Sequence, residues 1–204
     1  MASWGRQGRA ELSPAVPDGR QVWLVRHGET EWSRTHRHTS VTDVPLTDAG
    51  VEVARGLASR LADHDFALVL TSPRTRARTT AELAGFPDAV VDEDLVEWAY
   101  GDYEGITTEE IRRTVPGWTV WTHGSPGGET AEEVSSRLDR VVDRVRQADG
   151  DALVFAHGHS LRALAARWIG LPVTDGRLFR LDTATISILG HERETPVLLR
   201  WNDG

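Results

Sequence analysis

The chain has 204 residues, a hydrophobic share of 39% and a formal net charge of −8, which suit one globular domain with a sizeable core and argue against nucleic-acid binding. Cysteine is absent and all 23 basic residues are arginine, so disulfides, thiolate metal sites, a cysteine nucleophile and lysine chemistry are excluded. No apolar run approaches the ~20 residues that span a bilayer, so no membrane partner is expected.

The N-terminal segment lacks the apolar stretch of a secretory signal. We interpret residues 1–20 as a flexible N-terminal tail and residues 21–204 as a single domain. A cytoplasmic location is the default expectation for such a chain.

Apolar runs and capping signals alternate along the rest of the chain. Predicted strands cover residues 21–26, 66–71, about 89–91, 152–156, 184–190 and 196–201. Predicted helices begin at Thr47, at Pro73 after a Ser72 cap, at the capping boxes Thr107/Glu110 and Thr130/Glu133, and after the 152–156 strand. Strands alternating with helices predict an α/β fold, a three-layer sandwich with a mostly parallel central sheet flanked by helices.

Chemically capable side chains follow the predicted strands, where open α/β sheets bind ligands. Arg26 and His27 follow the first strand, Arg74 follows the second, and His157 follows 152–156, while Glu97 lies in an aromatic, glycine-rich loop. Each residue taken singly is more typical of a structural or surface role. Together, two arginines suit a phosphoryl dianion, histidine is a nucleophile, and a carboxylic acid can protonate a leaving oxygen. No metal or cofactor is required.

Four sequence blocks in this order, LVRHGET, SPRTRARTT, EWAYGDYEG and FAHGHS, resemble the histidine phosphatase superfamily, also called phosphoglycerate mutase-like. The resemblance covers about residues 21–190, and the motifs are nearest to the sugar-phosphate phosphatase and acid phosphatase members. It implies the phosphoglycerate mutase-like form of the α/β sandwich.

The resemblance also implies a role for each matching residue. His27 resembles the nucleophile that becomes phosphohistidine, and Arg26 resembles the arginine that contacts the phosphoryl oxygens. Arg74 matches the second pocket arginine, His157 the second histidine and Glu97 the proton donor. Physical chemistry agrees with these roles, since two arginines and a protonated His157 would neutralise the equatorial oxygens, and Glu97 would then activate water against the phosphohistidine.

Five further residues are predicted to bind phosphate or substrate. Ser33 sits where many family members carry a phosphate-contacting Asn, and Thr39 where members offer a pocket hydroxyl. Tyr100 is expected to stack on or hydrogen-bond to a sugar phosphate. Gly158 and His159 belong to the HGHS motif, where the His159 N–H is expected to face phosphate while its imidazole has a structural role.

Two segments are open to more than one interpretation. The histidine pair His36 and His38 resembles a metal motif, but no carboxylate or cysteine stands at convincing spacing, so we expect the pair to line the pocket mouth or face solvent. The loop 118–129, with Trp118, Trp121 and His123, is either a packed surface loop or a lid over the substrate.

The leading prediction is a metal-independent phosphomonoesterase whose partner is a small phosphate monoester, with a sugar phosphate as the favoured substrate. A cofactor-dependent phosphoglycerate mutase is the first alternative and a non-catalytic phospho-ligand binding module is the second. Glu97 stands only 60 positions before His157, without the longer insertion of family mutases, which favours hydrolysis. Arg112 and Arg113 fall in that interval at positions that the sequence does not fix. Exposed tryptophans are a reason to expect a homodimer.

Overall fold

The computed structural model describes residues 19–204. Residues 1–18 of the predicted tail lie outside the described residues, and the single-domain interpretation of residues 21–204 stays a prediction. The strands are β1 (Val22–Arg26), β2 (Leu68–Thr71), β3 (Val90–Val91), β4 (Ala152–Ala156), β5 (Ile186–Glu192) and β6 (Thr195–Asp203). The α-helices are α1 (Glu31–Arg34), α2 (Asp48–Leu61), α3 (Thr75–Leu83), α4 (Thr108–Arg112), α5 (Val120–His123), α6 (Ala131–Arg146) and α7 (Gly158–Trp168). Short 3-10 helices cover Glu93–Leu95, Gly101–Tyr103 and Val173–Leu178.

The strands form one mixed sheet in the order β3-β2-β4-β1-β5-β6. Strands β1 to β4 run parallel, and β5 and β6 add antiparallel strands at one side. In the register of the central pair, Arg26 at the end of β1 lies opposite Ala156 at the end of β4. The residues that follow these two strands therefore start from neighbouring points on one edge of the sheet.

Alternation of side chains along the central strands builds a hydrophobic core on each face of the sheet. In β1, Val22 and Leu24 belong to one core, whereas Trp23 and Val25 belong to the other. Helices α6 and α7 cover the first face, and α2 and α3 cover the second. The predicted α/β sandwich with a mostly parallel central sheet is therefore confirmed.

Helix α3 begins later than the sequence predicts. The Ser72 cap and Pro73 predict a start at residue 73, but the helix begins at Thr75 with Arg74 at the N-cap. Both the backbone N–H and the hydroxyl of Thr75 donate to the Asp43 carboxylate, which belongs to a distant loop. This tertiary cap satisfies the helix end in place of a local one.

The tryptophans of the described chain are buried or half-buried, so none between residues 19 and 204 is exposed. Trp118 and Trp121 of the loop 118–129 are core residues, and so is Trp98. The expectation of exposed tryptophans is therefore wrong, and the homodimer stays a prediction without that support. The burial also favours the packed-loop interpretation of residues 118–129 over the lid.

Candidate active site

His27 follows β1 directly, and backbone carbonyls of other residues hold both its main chain and its ring in place. Its N–H donates to the Ala156 carbonyl at 3.0 Å, and its Nδ1 lies 2.7 Å from the Gly28 carbonyl. A carbonyl only accepts, so Nδ1 carries the proton and Nε2 keeps its lone pair. Gly28 is required at this point because a Cβ there would lie 2.7 Å from the Gly50 carbonyl oxygen.

Burial is the largest cause that lowers the pKa of His27 well below its ordinary value, followed by the charges of Arg76 and Arg26. The pKa is lowered because the loss of water and the nearby cations both disfavour the charged imidazolium form. The imidazole is therefore neutral at pH 7, the state in which histidine is a nucleophile.

His157 follows β4 and meets His27 at the sheet edge. The two ring centroids lie 5.2 Å apart, close enough for both rings to contact one phosphoryl group. His157 Nε2 lies 2.7 Å from the hydroxyl of Ser72, which follows β2. Three parallel strands thus deliver these side chains to one point. The Ser72 hydroxyl oxygen also accepts the Arg74 N–H.

His157 differs from the expectation of a charged imidazole. Burial first, and then the charge of Arg76, lower its pKa well below the ordinary value. The side chain is wholly buried and its neighbours include three arginines and His27. In this structure His157 is therefore a neutral imidazole, and its Nδ1 has no partner in the described chain.

Glu97 is fixed at the start of α7. One carboxylate oxygen accepts the N–H groups of Trp98 at 3.0 Å and Ser160 at 2.8 Å, and the other accepts that of His159 at 3.0 Å. The carboxylate thereby caps the helix that follows His157 and is buried against the pocket. It also occupies the His159 N–H, which was expected to face phosphate.

The arginines of the site are not equivalent. Arg26 is half-buried and donates to the Leu181 carbonyl at 2.6 Å. Arg76 is 0% exposed, and its terminal nitrogens donate to the carbonyls of Thr39, Ser40 and Thr42. Its charge has the largest electrostatic effect on the pKa values of both site histidines. Of the two histidines, Arg74 lowers the pKa only of His157, and its effect is the smallest among the charges that act on that ring.

Four buried nitrogens of these residues have no hydrogen-bond partner in the described chain. They are Nε of Arg26, Arg74 and Arg76 and Nδ1 of His157. An unpaired buried donor is costly, and a group of such donors indicates an absent acceptor. Because three of the four belong to guanidinium cations, the acceptor that fits is an anion.

A cavity of about 230 Å³ opens above His27. Arg26, His27 and Glu97 line it, and so do all five predicted substrate-binding residues, namely Ser33, Thr39, Tyr100, Gly158 and His159. Arg74, Arg76 and His157 do not line the cavity. A further lining residue that sequence reasoning missed is Arg162, which lies one turn along α7 from Gly158.

The hydroxyls of Ser33 and Thr39 are already engaged. Ser33 Oγ accepts the Thr30 N–H at 2.9 Å and donates to the Thr30 carbonyl at 3.0 Å. Thr39 Oγ1 donates to the Arg37 carbonyl at 3.0 Å. Both residues lie at the predicted place, but a phosphate contact from either hydroxyl requires it to turn away from its present partner.

Tyr100 is buried and pairs with the half-buried His159. The Tyr100 oxygen lies 2.6 Å from His159 Nδ1. Burial raises the pKa of Tyr100 well above its ordinary value, and burial together with the Arg162 charge lowers that of His159 well below. At neutral pH the phenol and the imidazole are therefore both uncharged.

Gly158 lies against the Arg26 guanidinium, and a Cβ there would lie at an ordinary contact distance of 3.4 Å from it.

The histidine pair does not form a metal site in the described chain. His36 and His38 both line the cavity, but residues 19–204 contain no group of three or more possible metal ligands. His38 is partly buried, its Nε2 lies 3.1 Å from the Thr108 hydroxyl, and desolvation lowers its pKa to about 4.

Residues 19–204 contain no helix with the length and apolar character of a membrane span.

Comparison with known proteins identifies the family. Residues 22–204 match the family model described as histidine phosphatase superfamily (branch 1), and the chain belongs to that superfamily. It is 45% identical over 177 residues to an acid phosphatase of Mycobacterium tuberculosis, covering 84% of this chain and 87% of that protein. It is 40% identical over 183 residues to the sedoheptulose 1,7-bisphosphatase of Saccharomyces cerevisiae, covering 74% and 68%.

A solved structure agrees with these sequence matches. The product of an open reading frame from Mycobacterium tuberculosis superposes with a TM-score of 0.87 at 40% identity, covering 91% of this chain and 98% of that chain. The protein is a phosphoric monoester hydrolase of the histidine phosphatase type, as the resemblance implies.

Proposed function

We propose that the protein hydrolyses a small organic phosphate monoester, with a sugar phosphate as the favoured substrate, through a phosphohistidine on His27 and without a metal ion. The observation that carries the proposal is the group of unpartnered nitrogens on Arg26, Arg76 and His157 around a neutral His27. A phosphoryl group supplies the acceptors that these donors lack.

In the proposed first step, His27 Nε2 attacks phosphorus while the bond to the ester oxygen breaks. Arg26, Arg76 and His157 stabilise the charge on the three equatorial oxygens, which is the main contribution a protein makes to phosphoryl transfer. Glu97 lines the same cavity and, in its protonated form, gives its proton to the leaving oxygen. In the second step the ionised Glu97 takes a proton from water, which attacks phosphorus and frees His27.

Arg76 takes the place that the sequence assigned to Arg74. Arg76 is the wholly buried arginine whose charge acts on both histidines, whereas Arg74 is half-buried and, of the two histidines, affects only His157. Arg74 keeps an auxiliary role through its unpartnered Nε. The names of the two reported relatives support a phosphatase that acts on small phosphates, and the name of the yeast relative specifies a sugar phosphate.

Release of phosphate from para-nitrophenyl phosphate and a panel of sugar phosphates, with chelator present, tests this proposal. We expect His27→Ala to lower kcat/KM by at least about 10³-fold, because the variant lacks the nucleophile that forms the phosphohistidine. His123→Ala, an exposed histidine that does not line the cavity, is the matched control and retains wild-type activity. Full activity of His27→Ala, or activity abolished by the chelator, would contradict the proposal.

A further inference from the structure

A second cavity, of about 270 Å³, adjoins the catalytic pocket. The two cavities share His38, Thr108, His159 and Arg162 as lining residues. A molecule whose phosphoryl group contacts His27 therefore has room to extend past His159 into this second space.

The second cavity is lined by cations and by no carboxylate. Its charged lining residues are Arg112, Arg162 and Arg177, and Arg177 is paired with Asp175 at 3.3 Å. Arg112 and Arg162 are anchored through Nε to neutral acceptors, the carbonyls of Trp118 at 2.9 Å and Gly176 at 3.0 Å. Neither has an ion pair among residues 19–204. Their guanidinium groups are thus held in place without an ion-pair partner among these residues.

Arg162 is also placed to act on both cavities. Its guanidinium lies 4.8 Å from the centroid of the Trp121 ring, which limits its movement. Desolvation lowers the pKa of Arg162 against the opposing charge of Glu97, and the Arg162 charge in turn lowers the pKa of His159. A partly desolvated cation that forms no ion pair is unfavourable, so an anionic ligand gains affinity there.

We propose that the second cavity binds a second phosphate group of the substrate, so that the preferred substrate is a bisphosphorylated small molecule. This inference rests on the proposed function, since the first phosphate is the one that His27 attacks. Arg112 and Arg162 would be the residues that contact the second phosphate, and they would determine specificity without touching the reacting atoms.

Binding to the His27→Ala variant separates recognition from turnover. Calorimetric titration compares fructose 1,6-bisphosphate with fructose 1-phosphate and fructose 6-phosphate. We expect the bisphosphate to bind about tenfold more tightly or better, well beyond the factor of two that two exchangeable phosphates supply, because charge-assisted contacts of this kind contribute at least that much.

Arginine variants in the same background locate the effect. Arg112→Gln and Arg162→Gln should each lower the ratio of the two affinities by roughly tenfold, whereas Arg162→Lys should retain part of it. Arg113→Gln is the matched control, because Arg113 is exposed, pairs with Glu109 and does not line the cavity, and it should leave the ratio unchanged.

Equal affinities, within twofold, for the bisphosphate and the monophosphates would overturn the inference. So would a high ratio that survives both glutamine substitutions. If Arg162→Gln does not fold, Arg112→Gln decides alone. Failure of the proposed function is a separate result, namely no phosphate release by the wild-type enzyme from any of these esters, and the affinities remain measurable in that case.

Discussion

Two arginines stand two positions apart at the start of α3, and only the charge of Arg76 affects the pKa values of both site histidines. Residues two apart on a helix project about 200° from each other, so the two side chains point in different directions. The tertiary cap from Asp43 starts the helix at Thr75 and thereby fixes which arginine faces inward. Arg76 is 0% exposed, whereas Arg74 is half-buried.

Lysine substitutions separate the two arginines without removing a charge. We expect Arg76→Lys to lower kcat/KM for para-nitrophenyl phosphate by about 10²-fold, the typical effect of losing one preorganised donor to a transition state. Arg74→Lys should cost less than about tenfold. The exposed Arg78 on the same helix serves as the control through Arg78→Lys. A larger loss for Arg74→Lys than for Arg76→Lys would reverse our assignment.

At the scale of elements, the loop after α1 packs on the start of α4 through His38. The His38 ring lies against Tyr100 and Trp118, and its Nε2 contacts the Thr108 hydroxyl. Desolvation lowers its pKa from 6.5 to about 4, against the opposing charge of Glu104. The unfolded chain therefore binds a proton at a higher pH than the folded chain does.

Stability should consequently fall as pH decreases from 6.5 to 4. The contribution of His38 is fully present above pH 6.5 and is lost progressively down to its folded pKa. For one largely buried group the loss is on the order of 2 kcal/mol. We expect His38→Gln, which keeps a donor for Thr108, to show a shallower decline of unfolding free energy over this range.

Denaturant unfolding at several pH values measures the difference between the two proteins. His27, His157 and His159 have lowered pKa values of the same sign and remain in both, so the comparison isolates His38. His36→Gln, in which an exposed side chain is replaced, controls for the loss of a histidine and should follow the wild-type curve. Parallel curves for His38→Gln and the wild type would rule out this explanation.

Local signals in the sequence predicted much of the architecture. The capping boxes at Thr107/Glu110 and Thr130/Glu133 begin α4 and α6 as expected, because both partners of each box are close in sequence. The side chains of β1 and β4 are buried on both faces and alternate between the two cores, as strand geometry requires. The start of α3 was not predictable in this way, because Asp43 is 32 positions from Thr75.

The placement of the site follows from how the connections leave the sheet. After β1 the chain passes to α2 on one face, and after the neighbouring β4 it passes to α7 on the other face. The two connections diverge and open a crevice between them, as expected at a topological switch point. His27 and His157 begin these diverging connections. The sequence predicted that strand ends meet, but the second cavity depends on the burial of Trp121 and the path of Arg162, which no local pattern specifies.

Formation of a phosphohistidine on His27 tests the proposed reaction most directly. Glu97→Gln is the background of choice with para-nitrophenyl phosphate, because nitrophenolate leaves without a proton whereas hydrolysis of the intermediate needs a base. We expect rapid quenching into alkali, followed by mass spectrometry, to find one added phosphoryl group on the peptide that carries His27, and none when His27→Ala is combined with this variant. A phosphoryl group on any other residue, or phosphate release with no phosphorylated enzyme at any time, would contradict the mechanism.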